Sequence, residues 1–517
     1  MIDYMKLQNG SDIRGIAIAL PGGKPVDLTE ESVKNIGSAF ALYAAEKLGK
    51  NAADICIAIG RDSRLSGPQL IEWLISGITA VGVSAYDGGM ASTPAMFMCC
   101  VNELRFDAGI MVTASHLPME RNGMKFFLGI PAGKDEAIGG LEKKDITAIL
   151  TAASQGGFAF AEKPGFEGKT DVMTPYIEGL KGKILAGIGA DAAEKPFEGM
   201  RIVVDAGNGA GGFFATRLLA PLGADITGSR FLEPDGNFPN HQPNPENAAA
   251  MESICEAVTT SGAQLGIIFD TDVDRAGAVL PDKNGAIPLD RNRLIALMTA
   301  ILVREYGPIT AVTDSITSTG LAAFIENLGC RHHRFKRGYR NVINEAKRLM
   351  GEGENAIFAM ETSGHGALYE NYFLDDGAYI IVKILIEFVR AYRRGETLNS
   401  LIAELAEPAE SSEVRMAVNT EAFADYTAEV LDAVEKHFAA QEGFTIVKPN
   451  YEGVRVGADK AHGDGWFLIR RSLHDPLMPT NLESNSVGGV KLLAAALETA
   501  LEGFDKLDTA GLAALTK

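Results

Sequence analysis

Short apolar runs alternate with longer amphipathic stretches through the first 170 residues. Ile13–Ala19, Ile55–Ile59, Val81–Tyr86 and Asp107–Val112 are apolar or β-branched enough to predict strands, and Glu30–Leu48 and Gly67–Ala80 between them predict helices. This is the βαβ rhythm of a mostly parallel sheet with helices on its faces. A Gly/Ala/Lys-rich connection over Ala152–Lys169 interrupts it, and a second series starts near Asp171. A third occupies 285–407, with Ile309–Ser315 as a strand and Ser318–Leu328 as a helix. From about residue 408 strands and helices are more separated, and the chain ends in an alanine-rich amphipathic helix over Val487–Leu501. The pattern therefore predicts domains at 1–170, 171–284, 285–407 and 408–517, the first three being repeats of one α/β plan.

A chain of 517 residues exceeds what one hydrophobic core supports, and 46% hydrophobic with 22% charged residues is ordinary globular composition. The net charge of −19 disfavours nucleic acid and anionic membranes as partners. An anionic substrate then needs a local basic cleft, and Arg14, Arg61, Arg64, Lys125, Arg275, Lys336, Arg337, Arg340, Arg470 and Arg471 lie in or near the loops described below. The five cysteines show no CxxC spacing, which argues against a zinc site or a disulfide framework and for a reducing, cytoplasmic setting. Met1–Lys6 lacks the basic start and apolar core of a signal peptide, and no apolar run reaches the ~18–20 residues of a membrane span.

Against this background a few loops carry chemistry. The apolar run Gly109–Val112 ends in Thr113-Ala-Ser115-His116-Leu-Pro118, placing a hydroxyl at the mouth of a strand with an imidazole beside it, suited to a nucleophile or phosphate carrier. Asp12-Ile-Arg14-Gly15 and Gly60–Pro68 set arginines just after strands, where such sheets bind ligands, and predict phosphate contacts. Asp270-Thr-Asp272-Val-Asp274-Arg275 lies between the apolar runs Leu265–Phe269 and Ala276–Leu280. Three carboxylates so close repel unless a hard divalent cation neutralises them. Arg275 and Pro281 stand where an EF-hand needs glycine and glutamate, so magnesium is preferred, with Arg275 suited to hold a phosphoryl group against it.

Further along, Lys336-Arg-Gly338-Tyr339-Arg340 follows a strand-like run, and Glu361-Thr-Ser363-Gly364-His365 sets a carboxylate and a hydroxyl on a glycine turn, fit to bond vicinal sugar hydroxyls. Gly465–Arg470 runs as a strand into Arg470-Arg-Ser472-Leu-His474-Asp-Pro476, where His474 supplies a donor to phosphate. Asp375-Asp376-Gly377 reads as a helix N-terminus. One stretch points elsewhere. Asp205-Ala-Gly207-Asn-Gly209-Ala-Gly-Gly212 follows a strand and matches a dinucleotide fingerprint, with Glu233 downstream as a ribose ligand, though tight packing alone produces such turns.

In order and spacing, the Ser115, Asp270–Arg275, Glu361–His365 and Arg470–Pro476 loops resemble the signature loops of the α-D-phosphohexomutase family, which includes phosphoglucomutases and phosphomannomutases. The resemblance spans nearly the whole chain. It implies three similar mixed α/β domains plus a C-terminal α+β domain around a central active-site cleft. It implies interconversion of hexose 1- and 6-phosphates, of glucose or mannose, through a phosphoserine at Ser115 and a hexose 1,6-bisphosphate that also serves as activator. Mg2+ is expected on Ser115, Asp270, Asp272 and Asp274. Arg121-Asn122-Gly123-Met124-Lys125 is similar to the family's Asn-Gly-x-Lys element, which makes Lys125, crowded by arginines, the expected general base. His116 and Arg14 complete the catalytic set. Arg275, Lys336, Gly338, Tyr339, Glu361, Ser363, His365, Arg470, Ser472 and His474 are the expected substrate contacts. Tyr339 stands where some members have histidine, and Leu473-His474 replaces the usual residues after the serine. The partner implied is a small sugar phosphate, bound by a monomer or weak homodimer. A phosphoglucosamine mutase is the near alternative, disfavoured by Thr362 in the sugar loop. An NAD-dependent dehydrogenase using Gly207–Gly212, a phosphoserine phosphatase and a non-catalytic sugar-phosphate binder are the distant ones.

Overall fold

The computed structural model describes residues 2–134, 137–189, 194–283, 285–289, 291–472 and 475–517. Two compact units emerge, one of residues 1–290 and 363–399, the other of 291–362 and 400–517.

The first unit begins with a sheet of eight strands, in which Cys56–Arg61, Ser84–Met90, Ala108–Val112 and Glu167–Lys169 run parallel. Asp12–Ile16 and Arg121–Leu128 run antiparallel to their neighbours, so the sheet is mixed and not nearly all parallel. Glu30–Leu48 and Gly67–Ala80 form the two helices expected. The first is capped by Thr29, whose hydroxyl accepts from Ser32 N–H, and stopped by Gly49 in the left-handed conformation. Phe40, Ile57, Ile59, Leu74, Ile110 and Phe126 make the core between helices and sheet. The 152–169 stretch, expected as a connection, contains the end of the helix Lys143–Gln155 and the edge strand Glu167–Lys169. Asn122-Gly123 lies within the strand Arg121–Leu128, where a Cβ at Gly123 would lie 2.0 Å from the Ile13 carbonyl oxygen, so only glycine lets these strands pair.

A four-stranded sheet follows in the same unit, Ile202–Asp205, Leu265–Phe269, Ala276–Asp282 and Gly285–Leu289. The first two strands are parallel and the others are joined as antiparallel hairpins. The glycine-rich turn after Ile202–Asp205 is packed against the chain itself. A Cβ at Gly209 would sit 2.8 Å from Thr271 Cα, and one at Gly212 would lie 2.1 Å from the Leu232 carbonyl oxygen. The Asp205 carboxylate accepts from Gly207 N–H, Ser253 Oγ and His241 Nε2. A π-helical turn, Phe214–Leu219, comes next. The fingerprint is thus a packing device, with its glycines used by protein backbone where a dinucleotide would need open space. The helix Gly377–Arg393 also belongs to this unit and packs on Met173–Ile188, where Gly187 lets Ile386 approach.

In the second unit Arg331–Arg334, Thr310–Thr313 and Phe358–Met360 lie side by side in parallel. A five-stranded antiparallel sheet, in the order Glu410–Ala417, Leu477–Ser484, Gly465–Ile469, Val454–Ala458, Phe444–Ile446, is covered by Phe423–Ala439 and Gly489–Ala500. No helix among the described residues is long and apolar enough to cross a membrane, and all five cysteines are free.

Gly212→Ala is expected to lower the thermal midpoint by the equivalent of about 1–3 kcal/mol, the usual cost of overpacking. NAD+ is expected to shift the midpoint of neither protein; protection of the wild type by NAD+ would restore the dinucleotide reading.

Candidate active site

Ala108–Val112 is buried at every position, sandwiched between Cys56–Arg61 and Arg121–Leu128. It delivers Thr113, Ala114 and Ser115 to the carboxyl end of the sheet. Ser115 is held at φ 49°, a conformation that costs a non-glycine residue on the order of 1–2 kcal/mol. Its N–H donates to Thr113 Oγ at 2.8 Å, and the Thr113 hydroxyl donates to Asp62 Oδ2 at 2.6 Å. Arg64, 1% exposed, turns its guanidinium onto the carbonyls of this loop: Ser115 and Leu117 at 2.5 Å, Pro118 at 2.8 Å and Arg121 at 2.9 Å. Arg14 donates to the Thr113 carbonyl and pairs with Asp12 Oδ2 at 2.7 Å. The arginines expected to meet phosphate all donate to backbone carbonyls, Arg61 to that of Asp62, but Arg14 and Arg64 are buried while Arg61 is half-buried.

The strand Leu265–Phe269 and its partner Ala276–Asp282 bracket the acidic loop, whose reversal places Val273 at φ 68°. Asp270, Asp272 and Asp274 are at most 1% exposed, and their carboxylates offer oxygens within 4.8 Å of one another. The serine meets them directly: its Oγ donates to Asp270 Oδ2 at 3.0 Å and accepts from Arg275 Nη2 at 3.1 Å. Lys125 Nζ lies 3.0 Å from Asp272 Oδ2 and bonds Asp274 Oδ2. Lys125 thus makes a double ion pair with carboxylates, sharing Asp274 with Arg275. Thr93, which the sequence did not single out, donates to Asp272 Oδ2 at 2.5 Å from the first turn of the helix Thr93–Met98.

These contacts split the triad. Burial and the charges of Asp274 and Asp272 push the Asp270 carboxyl well up. Burial also works against ionisation of Asp274, but Lys125, His365 and Arg275 outweigh it and hold that carboxyl far below its usual range. A divalent cation fits this place on the chemistry of its donors: three carboxylates converge, and Asp272 Oδ1 and Asp274 Oδ1 are buried with no hydrogen-bond partner among the described residues.

Two histidines flank the triad in opposite states. His116 Nδ1 accepts from Arg275 Nη2 at 2.6 Å, and burial together with Arg275 drives its pKa down to about 3, so the ring is neutral. His365 Nδ1 pairs with Asp375 Oδ2 at 2.5 Å. Asp375 and Asp274 overcome burial and raise its pKa to about 9, so this ring carries a charge. Gly364 at φ 93° brings the Ser363–His365 turn onto the acidic loop's strand, since a Cβ there would stand 2.7 Å from the Ala276 carbonyl oxygen. Ser363 is buried. Asp376 caps the helix Gly377–Arg393 as expected, accepting from Tyr379 N–H, while Asp375 is spent on His365 and is a site residue the sequence reading missed.

The other expected substrate contacts lie in the second unit. Gly338, at φ 114°, donates its N–H to Glu361 Oε1 at 2.6 Å and starts the helix Tyr339–Gly351. Lys336 is exposed, and the Arg340 guanidinium lies over the Tyr339 ring. Arg470 is 8% exposed, and its Nε has no hydrogen-bond partner among the described residues. Ser472 Oγ accepts from Asp475 N–H at 3.3 Å. Glu452, also unnoticed in the sequence, accepts from Arg337 N–H at 2.9 Å and from Ser315 Oγ. Leu473 and His474 lie outside the described residues.

Magnesium is expected to raise the thermal midpoint of the protein, by roughly 2.7 kcal/mol of stabilisation at a hundred times its dissociation constant. Asp272→Asn is expected to remove that gain; an equal shift in both proteins would place the cation elsewhere.

Three family models match the chain in sequence. They are the phosphoglucomutase/phosphomannomutase α/β/α domain I over residues 5–149, domain II over 174–284 and domain III over 290–409. A phosphoglucomutase of Neisseria gonorrhoeae is 32% identical over 492 residues, 95% of each chain. A phosphoglucomutase/phosphomannomutase of Thermococcus kodakarensis is 30% identical over 504 residues, 95% of this chain and 99% of that one. A crystal structure of a phosphoglucomutase/phosphomannomutase family protein from Burkholderia thailandensis superposes with a TM-score of 0.76 at 26% identity, covering 98% of both chains. With three consecutive α/β/α domains matched, a further C-terminal domain, and a buried serine facing three carboxylates, the chain belongs to the phosphoglucomutase/phosphomannomutase family of phosphohexomutases.

Proposed function

We propose that this phosphohexomutase interconverts the 1- and 6-phosphates of glucose or mannose by passing a phosphoryl group through Ser115. The observation that carries the reading is the meeting at one oxygen: Ser115 Oγ lies 3.0 Å from Asp270 Oδ2 and 3.1 Å from Arg275 Nη2. A hydroxyl placed between an acidic cluster and a guanidinium is built to carry a phosphoryl group whose charge must be balanced on both sides.

In the forward direction the phosphoserine Oγ–P bond breaks as the free hydroxyl of the sugar phosphate forms its own O–P bond, giving a hexose 1,6-bisphosphate. That species turns over, its other phosphoryl returns to Ser115, and free bisphosphate acts as activator by phosphorylating the serine. Asp270, Asp272 and Asp274 would hold Mg2+ with Ser115, and the ion would supply charge neutralisation for a loose phosphoryl-transfer transition state. Arg275 holds the serine oxygen and keeps His116 neutral, so that His116 orients without adding charge. His365, charged through Asp375, is a donor for a phosphoryl or sugar oxygen. Lys125 is the assigned proton carrier for the sugar hydroxyl. Arg14 fixes the carbonyl of Thr113 at the base of the loop.

Recognition is assigned to Lys336, Gly338, Tyr339, Glu361 and Ser363 for the sugar, and to Arg470, Ser472 and His474 for the phosphate not being transferred. Holding that phosphate rigidly spends binding energy on orientation. The setting we assign is cytoplasmic, with the protein acting as a monomer or weak homodimer.

The test is phosphorus NMR of the protein with magnesium and a trace of hexose 1,6-bisphosphate, given glucose 1-phosphate or mannose 1-phosphate. Conversion to the 6-phosphate, lost in Ser115→Ala, is the expected outcome, and the two rates rank the sugars. Release of free phosphate alone would replace the mutase with a phosphatase.

A further inference from the structure

We infer that Arg64 is a positioning residue for phosphoryl transfer, acting by fixing the backbone from which Ser115 projects; the inference rests on the mutase reading above. Arg64 is fully buried, and beyond its ion pair with Asp62 its guanidinium is spent on backbone. Its two terminal nitrogens donate to four carbonyls of one loop, those of Ser115, Leu117, Pro118 and Arg121. Its Nε faces Asp62 Oδ2 at 3.4 Å, and the Phe238 ring covers it at 5.4 Å. Burial lowers the guanidinium's pKa from its ordinary value against the pull of Asp62, the expected cost of holding a cation away from water.

Such an arrangement has a specific mechanical effect. The loop must turn the Ser115 carbonyl inward for Arg64 to reach it, and the N–H on the other side of the same residue is pinned to Thr113 Oγ, itself pinned to Asp62. Both peptide groups of Ser115 are therefore tied to one Arg64–Asp62 pair at the end of the strand Cys56–Arg61. With the two ends fixed, φ stays at 49° and Oγ is aimed at Asp270 and Arg275. Released, a serine relaxes toward negative φ, which swings its side chain off that line. Only a guanidinium supplies enough N–H groups in a flat fork to meet four carbonyls; an ammonium supplies three from a single point.

The test compares wild type, Arg64→Lys and Thr113→Val in steady-state kinetics with a sugar 1-phosphate, with circular dichroism to confirm the fold. Thr113→Val keeps the side-chain shape, removes the hydroxyl link, and stands in if the lysine variant does not fold. A misplacement of about 1 Å costs on the order of 100-fold, so kcat of Arg64→Lys is expected to fall by about that factor with KM unchanged. Thr113→Val is expected to lose about tenfold in kcat, again with KM unchanged. A role in stability alone would lower the thermal midpoint and leave kcat per folded molecule intact, and that result in the folded variants overturns the inference, as does a rise in KM at constant kcat. A wild type that converts no sugar phosphate is a different failure, that of the mutase reading.

Discussion

Three carboxylates shut away from water within 4.8 Å of one another set the terms for the first unit of this protein. Bringing such charges out of solvent is costly unless each finds an opposite charge or a donor. The surroundings supply them from separate parts of the chain: Lys125 from a central strand, Arg275 from the residue after the loop, Thr93 from a helix start, His365 from a turn some 90 residues on by the numbering. Several glycines are explained by the same demand. Gly123 lets the Lys125 strand pair closely with Asp12–Ile16, Gly209 lets the turn after Ile202–Asp205 press on Thr271, and Gly364 lets the His365 turn press on Ala276. The acidic loop is packed from all sides because its charge requires partners from all sides.

The serine loop obeys the complementary rule. Its strained residue, Ser115, has no side chain large enough to be held by packing, so it is held through its backbone. Hydrogen bonds to a charged donor are about twice as strong as neutral ones, and here several converge on the carbonyls of one short loop. Strain of a kcal/mol or two is easily maintained by such a hub. Reactive placement and local stability thus come from one buried guanidinium.

Much of this was legible in the sequence, and the limits have physical causes. The helices Glu30–Leu48 and Gly67–Ala80 and the strand Leu265–Phe269 appear with the predicted ends, because amphipathic period, capping and apolar runs are local properties. The acidic triad was legible because its ligands are two residues apart. Arg64 was legible as an arginine near the site but not as a carbonyl hub, since nothing local distinguishes a cation facing backbone from one facing phosphate. Asp375 was hidden for a similar reason: it stands beside a true helix cap, Asp376, and its partner His365 reaches it through the tertiary fold. At the Gly207–Gly212 turn close packing and phosphate binding both select glycine; packing, the favoured reading, is what the structure shows, and the deciding neighbours, Leu232 and Thr271, are distant in sequence. The pairing of Lys125 with Asp272 and Asp274 was not legible, because the sequence shows which residues are basic and not which carboxylates they face.

Charge balance joins the serine to the acidic loop. Around the acidic loop Asp270, Asp272, Asp274 and Asp375 stand with Lys125, Arg275 and His365, and Glu246 lies 3.7 Å from Arg275. A phosphoryl group on Ser115 would add nearly two negative charges at an oxygen already 3.0 Å from Asp270. A divalent ion on the triad would restore the balance that such a phosphoryl group upsets. Each would therefore favour the other, and because coupling between bound groups is reciprocal, a phosphorylated Ser115 would hold such an ion more tightly than an unphosphorylated one. In a chain of net charge −19 an anionic group needs such local compensation, and here Arg275 meets the serine oxygen itself while Lys125 and His365 pair with the carboxylates around it.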